Sequence, residues 1–172
     1  MALPKKLADE GALYEYAVRA LGRQMRSVAE LKRLMRRRVA EGGEVLIESV
    51  IARLKEQKYL NDSAFAASYS NYRRDNQRLG KLRVMRELQA RGVHGDVVRA
   101  ATDAAYEQTG DEQQARAYLK RKRLHKPGNQ KEVARVFRTL LRAGFASRSI
   151  IAILKKWDVD EEVLSALETE DS

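Results

Sequence analysis

Cysteine is absent from the 172 residues. That removes disulfides, cysteine-bound zinc, thiolate iron–sulfur ligation and thiol catalysis together. Histidine occurs twice, so a His-rich metal site is excluded as well. Neither His94, in Gly92-Val93-His94-Gly95, nor His125 has a partner at ligand or triad spacing. A P-loop and a GxGxxG segment are both missing. Asp62 reads better as a helix cap than as a metal carboxylate. No nucleophile–base pair stands out, so neither enzymatic activity nor a cofactor is expected. No stretch approaches the ~18 consecutive apolar residues of a membrane span. The start, Met1-Ala2-Leu3-Pro4-Lys5-Lys6, has bases but no apolar run behind them, so no signal peptide is expected. The absent thiols fit a reducing cytoplasm.

Proline is limited to Pro4 and Pro127, and aromatic residues make up 6%. The core must therefore come from Leu, Val, Ile and Ala. The apolar fraction of 44% suffices for one. At this length a single compact domain or a short repeat array is expected. Period-two alternation does not recur, so strands are not expected. Apolar residues return at spacings of three and four, as in Leu31, Leu34, Met35, Val39 and in Val133, Val136, Phe137, Leu140, Leu141. The chain reads as all-α. The expected helices lie near 11–22, 27–40, 44–58, 63–76, 80–91, 96–108, 112–123, 130–143, 147–156 and 160–168.

Punctuation agrees with that reading. Ser27-Val28-Ala29-Glu30 and Asn129-Gln130-Lys131-Glu132 have the capping-box form. Asp62, Asp111, Ser147 and Asp160 are expected N-caps. Gly92 and Gly144 are expected to close helices with positive φ.

The helices repeat. Leu82–Val93 lies over Ala134–Phe145 at an offset of 52 residues. Val84 meets Val136, Leu88 meets Leu140, and Gly92-Val93 meets Gly144-Phe145. A third copy fits at an offset of 54, where Leu31 meets Met85, Leu34 meets Leu88 and Val39 meets Val93. Each copy is a leading helix followed by a helix–turn–helix pair. The expected divisions are 11–60, 61–110 and 111–157, with an acidic segment at 158–172. Short helices with a period near 50 imply an extended or curved array, because each unit must bury its apolar face against a neighbour.

There are 34 Lys and Arg against 24 Asp and Glu, a net charge of +10. This balance points to a polyanionic partner. The charge is uneven. Residues 116–156 hold 13 bases and one acid, while 158–172 hold seven acids and no base. The acidic end is either a solubilising helical cap or a shield over the basic surface. Lys120-Arg121-Lys122-Arg123-Leu124-His125-Lys126 exceeds what compensation of a helix dipole needs, and reads as a binding patch. Arg33, Arg36, Arg37 and Arg38 form a second cluster; Arg73, Arg74 and Arg78 form a third. From 19 to 38 there are eight bases and one acid. Lys32, Arg86 and Arg138 fall at equivalent places in the copies, as do Arg83 and Arg135, so a cationic track along one side is expected. The residues expected to carry binding are Lys32, Arg33, Arg36, Arg37, Arg73, Arg74, Arg86, Lys120, Arg121, Lys122, Arg123, Arg135 and Arg138. Tyr72 is the aromatic best placed to stack on a base. Trp157 reads as an anchor between the third copy and the acidic end.

Four segments resemble a known family in order. Tyr59-Leu60-Asn61-Asp62-Ser63-Ala64-Phe65-Ala66 resembles the Gly-Tyr-Leu-(Asp/Asn)-Asp-x-x-Phe signature of the RecX family, bacterial regulators of the RecA recombinase. Ser27-Val28-Ala29-Glu30-Leu31 resembles its Ser-x-x-Glu-Leu. Gly80 to Val93 and Phe137 to Phe145 resemble its later segments. Lys58 stands where the family usually has Gly. Arg38 stands where a Gly would close the first helix, and Glu41-Gly42-Gly43 lengthens that turn. The resemblance implies three tandem three-helix repeats in an elongated curved molecule. It implies binding to RecA–DNA filaments and inhibition of filament growth, ATP hydrolysis, strand exchange and co-protease activity, hence a role in recombination, repair and the SOS response. With it go weak, sequence-independent contacts to single- or double-stranded DNA. A monomer is expected, since no heptad seam is visible. Two alternatives remain: a helix–turn–helix protein that binds nucleic acid without RecA, and an adaptor that binds only protein.

Overall fold

The structure, a computed structural model, describes residues 6–170. The segment 1–5, read above for a leader, and positions 171–172 of the acidic end lie outside the described residues.

Among the described residues there are ten helices: α1 (Glu10–Arg23), α2 (Val28–Arg36), α3 (Glu44–Glu56), α4 (Asp62–Gln77), α5 (Lys81–Ala90), α6 (Gly95–Tyr106), α7 (Asp111–Lys122), α8 (Gln130–Ala143), α9 (Ser147–Lys155) and α10 (Glu161–Glu170). The only β pairing there is an isolated bridge between Leu7 and Val39. The order is three triplets of helices and a final short helix.

The caps explain where the helices begin. Ser27 and Glu30 form both halves of a capping box at α2. At α8 the box is half displaced. Asn129 accepts from Glu132 N at 3.0 Å, but the Glu132 carboxylate reaches Gly128 N at 2.7 Å instead of the cap residue. Three expected caps move by one residue. Asn61 caps α4 by accepting from Ala64 N at 3.0 Å, and Gly110 and Ala146 precede α7 and α9. Asp62 and Asp111, freed from that duty, accept from Val28 N at 2.8 Å and Ala146 N at 3.0 Å, each at the start of another helix.

The helix ends follow backbone sterics. Gly92 and Gly144 adopt φ of 79° and 94°. Lys58 takes φ of 61° at the end of α3, the left-handed geometry for which the resemblance expects glycine. Without a glycine after it, α2 stops at Arg36 in right-handed geometry, and positive φ is deferred to Gly42.

The chain divides into two compact units. The first comprises residues up to Ala66 with Leu88–Val98; the second comprises Ala67–Glu87 and residues from Arg99 onward. Helices α4, α5 and α6 thus contribute residues to both. In the first unit α1 and α2 pack on α3. They bury Leu13, Ala17, Leu31, Met35, Ile47, Val50 and Leu54. In the second unit α7, α8 and α10 pack on α9. Its core holds Leu119, Val136, Phe137, Leu140, Phe145, Ile150, Ile153, Leu154, Leu164 and Leu167. Trp157 packs against that core as the expected anchor.

One junction occurs in each unit. In the second, the C-terminus of α8 meets the N-terminus of α5: Gly80 N donates to Ala143 O at 2.8 Å and Leu82 N to Gly144 O at 3.2 Å. A Cβ on Gly80 would lie 2.3 Å from Gly144 O, and one on Gly144 would lie 2.3 Å from Arg83 N. In the first, Ser27 Oγ donates to Arg91 O at 2.6 Å. A Cβ on Gly92 would lie 2.5 Å from the Ala29 Cβ. Arg91 and Ala143 are equivalent by the offset of 52, so the same junction is made twice.

These contacts correct one register. The cap residues Ser27 and Gly80, and the buried pairs Leu31 with Val84 and Met35 with Leu88, differ by 53 rather than 54. The extra residue enters after Met35, where the closing glycine is missing. Arg33, not Lys32, is therefore equivalent to Arg86 and Arg138.

Candidate functional site

The thirteen cations fall into two groups. Four are drawn into the protein's own pairs. Lys32 on α2 reaches Glu48 on α3 at 2.6 Å. Arg36 bonds Glu44 through Nε at 2.8 Å. The Arg36 hydrogen bond holds the Glu44 carboxyl below the usual carboxylate range. Arg73 lies between Tyr69 and Glu87, 2.7 Å from the carboxylate, with both partners largely buried. Arg74 forks onto Asp75 at 2.7 Å and donates to Ala105 O. Two of the three arginines of the third cluster are thus structural: the guanidinium groups of Arg73 and Arg74 satisfy acceptors within the second unit, while Arg78 is exposed.

The remaining nine make no ion pair among the described residues. Arg33 and Arg37 lie on the outer side of α2 and at its C-cap. Arg33 donates only weakly, to Arg91 O at 3.4 Å. Arg86 and Arg138 fold back onto Leu82 O and Ala134 O, both at 3.2 Å, which leaves their outer edges exposed. Lys120, Arg121, Lys122 and Arg123 are all exposed around the end of α7. Arg123 closes that helix at φ 54°, so the run leaves the helix and fans out. Its charges sit where the α7 carbonyls concentrate negative potential, yet nothing acidic within the unit meets them.

A basic groove of about 510 Å³ lies within the second unit. Arg73, Arg83, Arg135 and Arg142 line it against one acid, Glu87. Burial pushes the Glu87 carboxyl up. Hydrogen bonds from Arg83 and Tyr69 and the Arg73 charge outweigh this and hold it below its ordinary range. One carboxylate is thereby shared among Arg73, Arg83 and Tyr69, while Arg135 and Arg142 remain unpaired. The binding set above omitted Arg83 and Arg142. Arg142 was legible from spacing: Arg135, Arg138 and Arg142 stand three and four residues apart, a single exposed row on α8. A second hollow, of about 430 Å³, runs beside Lys120, Arg123, His125 and Trp157. Arg116 and Lys156 stand near it, but both are neutralised by Glu112, at 3.0 and 2.6 Å.

The second helix of each helix–turn–helix pair is poor in side chains that read bases. In α9, Ile150, Ile151, Ile153 and Leu154 are buried, and only Arg148 and Lys155 are exposed. Helix α3 carries Glu44, Glu48 and Glu56 beside Arg53 and Lys55, and Arg53 lies over the Tyr14 ring. In α6, Asp96 and Asp103 accompany Arg99 and five alanine or glycine residues. Major-groove reading needs Arg, Lys, Asn or Gln forks on such a helix, and the dense cation clusters are instead on α2, α5, α8 and the end of α7. Tyr72 is 55% exposed.

The acidic helix α10 buries Leu164 and Leu167 in the second unit's core. Glu161 pairs with Lys155 at 3.0 Å, and Asp158 with Lys126 at 3.2 Å. The acids therefore draw Lys126 out of the basic run and leave Lys120–Arg123 free. No helix of the described residues is long and apolar enough to cross a membrane. No group of three or more His, Asp or Glu among them is placed to hold a metal.

Comparison with known proteins agrees with this architecture. Residues 61–101 match the family model "RecX, second three-helix domain". A Regulatory protein RecX of Halalkalibacterium halodurans is 30% identical over 135 residues, covering 78% of this chain and 50% of that protein. One of Leptothrix cholodnii is 28% identical over 146 residues, covering 85% and 89%. The crystal structure of RecX from Lactobacillus salivarius superposes with a TM-score of 0.67 at 22% identity, covering 88% of this chain and 99% of that one. The chain spans about half the length of the Halalkalibacterium relative and of a similar Geobacillus kaustophilus one.

Proposed function

The chain belongs to the RecX family of regulatory proteins, and on that premise we propose that it restrains the RecA recombinase by binding RecA–DNA filaments. Bound there, it limits filament growth, ATP hydrolysis, strand exchange and co-protease activity, and so acts in recombination, repair and the SOS response in the cytoplasm. The working modules are the repeats 11–60, 61–110 and 111–157, with 158–172 as a cap, in a monomeric chain.

The observation that carries the reading is the set of exposed, unpaired cations. Lys120, Arg121, Lys122 and Arg123 at the end of α7, and Arg86, Arg135, Arg138 and Arg142 on α5 and α8, have no acid to satisfy them. Such a set suits a partner that presents many negative charges at once, as phosphates and acidic side chains of a nucleoprotein filament do. Arg33 and Arg37 add to it from the first unit. Lys32, Arg36, Arg73 and Arg74 act from behind, by fixing helices.

The alternative, a DNA-reading protein that works without RecA, has a single arginine on each of α3, α6 and α9 with which to read bases, and the one on α3, Arg53, lies over the Tyr14 ring. DNA contacts in the proposed mode go to phosphates, and are weak, salt-sensitive and indifferent to sequence. The test is RecA-driven strand exchange with this chain added below the RecA concentration. The proposal expects joint-molecule formation to fall. Undiminished exchange, together with tight sequence-selective binding to a duplex by the free chain, would reverse the choice.

A further inference from the structure

We propose that a pocket in the first unit, made of none of the thirteen cations above, is a binding site for a phosphoryl group. The pocket encloses about 410 Å³ between α1, the turn that follows it, and α2. Arg19, Arg23, Arg26 and Arg38 line it, with Tyr16, Ala20 and Leu34 as its apolar wall. No carboxylate lines it. Arg19 is the one guanidinium of the four with an ion pair among the described residues, an exposed contact to Glu15 at 3.0 Å.

Two donors carry the argument. The Nε atoms of Arg26 and Arg38 are both buried and have no hydrogen-bond partner. A buried N–H left without an acceptor is a costly arrangement, and native proteins rarely keep one without a use. Here there are two, side by side on one cavity. Arg38 is held in place without a carboxylate. Its guanidinium carbon lies 5.0 Å from the centroid of the Tyr16 ring, and its carbonyl accepts from Leu7 N at 2.6 Å. Arg26 immediately precedes the Ser27 cap of α2. The site is therefore strongly positive, with two buried Nε donors facing no acceptor of the protein's own.

The chemistry selects phosphate over carboxylate. A carboxylate offers two oxygens and satisfies one fork. A phosphoryl group offers three or four oxygens, enough for several forks converging from different directions. The volume lies within the ~300–1,000 Å³ usual for small-molecule sites, so a sugar attached to the phosphate can follow it in against Tyr16. Four of the eight bases between residues 19 and 38 line this pocket. The phosphate has two possible sources with the same chemistry: the backbone of a nucleic acid, or the phosphate chain of a free nucleotide.

The test follows the Arg Nε–Hε signals of the full-length, nitrogen-15-labelled chain by nuclear magnetic resonance. The signals of Arg26 and Arg38 are assigned by Arg26→Lys and Arg38→Lys. The probes are inorganic pyrophosphate, ATP and a short oligothymidylate, with sodium acetate at matched ionic strength as the control. The proposal expects at least one phosphate probe to move both signals while acetate moves neither. Saturation by the oligonucleotide at lower concentration than ATP assigns the site to nucleic acid. Arg26→Gln with Arg38→Gln should then flatten the salt dependence of oligonucleotide binding by about 0.7 per lost phosphate contact. Saturation by ATP first assigns it to a nucleotide. Signals unmoved by all three probes, or moved equally by acetate, overturn the proposal. The wild-type spectra decide this even if the double variant does not fold, and RecA takes no part in the experiment.

Discussion

At the scale of single residues, two positions test the physical account most sharply. Lys58 holds φ of 61°, a conformation that costs a residue with a Cβ roughly 1–2 kcal/mol. Glycine there avoids that cost but adds chain entropy to the unfolded state. Lys58→Gly should therefore stabilise the protein by about 0.5–1 kcal/mol, read as a higher midpoint in urea unfolding; a lower midpoint would contradict the left-handed assignment. Glu87 is the second. Its folded carboxyl lies below its ordinary range. The stability it contributes is thus fully present above the unfolded carboxylate value of about 4.3, and is lost as pH falls through the lower folded value. Glu87→Gln should cost about 1–3 kcal/mol at pH 7. The gap from wild type should close as both are taken into that acid range; an equal gap at both ends would mean that the carboxylate charge is not what matters. The Lys58 anomaly was legible because a family signature marked the position. The burial of Arg73 and Arg74 was not, because a basic pair on a helix looks the same in sequence whether it meets solvent or Glu87 and Ala105 O.

At the scale of elements, the sequence was most readable where caps and apolar spacing agree. Helix α8 runs Gln130–Ala143, matching the expected range. Its cap Asn129 and closing Gly144 bracket one continuous apolar face. Caps were misplaced by one residue at Asp62, Asp111 and Ser147, where two polar residues adjoin or a small residue does the work, and composition does not say which oxygen turns inward. The register of α2 slipped by one because Leu34 and Met35 are both apolar and only burial separates them: Met35 is fully buried and Leu34 only partly. The junction of α5 with α8 has no side-chain signature beyond its glycines. Gly80→Ala would force a Cβ to within 2.3 Å of Gly144 O. Displacing that backbone should cost about 1–3 kcal/mol, seen as a lowered thermal midpoint with helicity otherwise kept. An unchanged midpoint would show that the junction is loose. In the first unit, Ser27→Ala removes both a helix cap and the donor to Arg91 O. A loss of about 1–2 kcal/mol is expected, and a loss near zero would remove that junction from the account.

At the scale of the whole chain, the net charge of +10 turns out to mix two kinds of cation. Some hold the protein together, and some meet nothing of their own. Charge density in the sequence located both kinds and could not separate them, because the separation depends on Glu44, Glu48, Glu87 and Glu112 arriving from other helices. Replacing Lys120, Arg121, Lys122 and Arg123 with Gln should therefore leave the circular-dichroism melt within a few degrees of wild type, since exposed charges contribute little to stability. It should weaken the effect on RecA at the same time. A normal melt with unchanged inhibition would take the α7 patch out of the interface.

The central claim is that this chain acts on RecA. It is tested most directly by the rate of RecA ATP hydrolysis on single-stranded DNA, measured with this chain added well below the RecA concentration across a series of salt concentrations. The account predicts clear inhibition at low salt that weakens as salt rises, because cation–polyanion contacts are lost. An ATPase rate that stays at its uninhibited value throughout the series would contradict it.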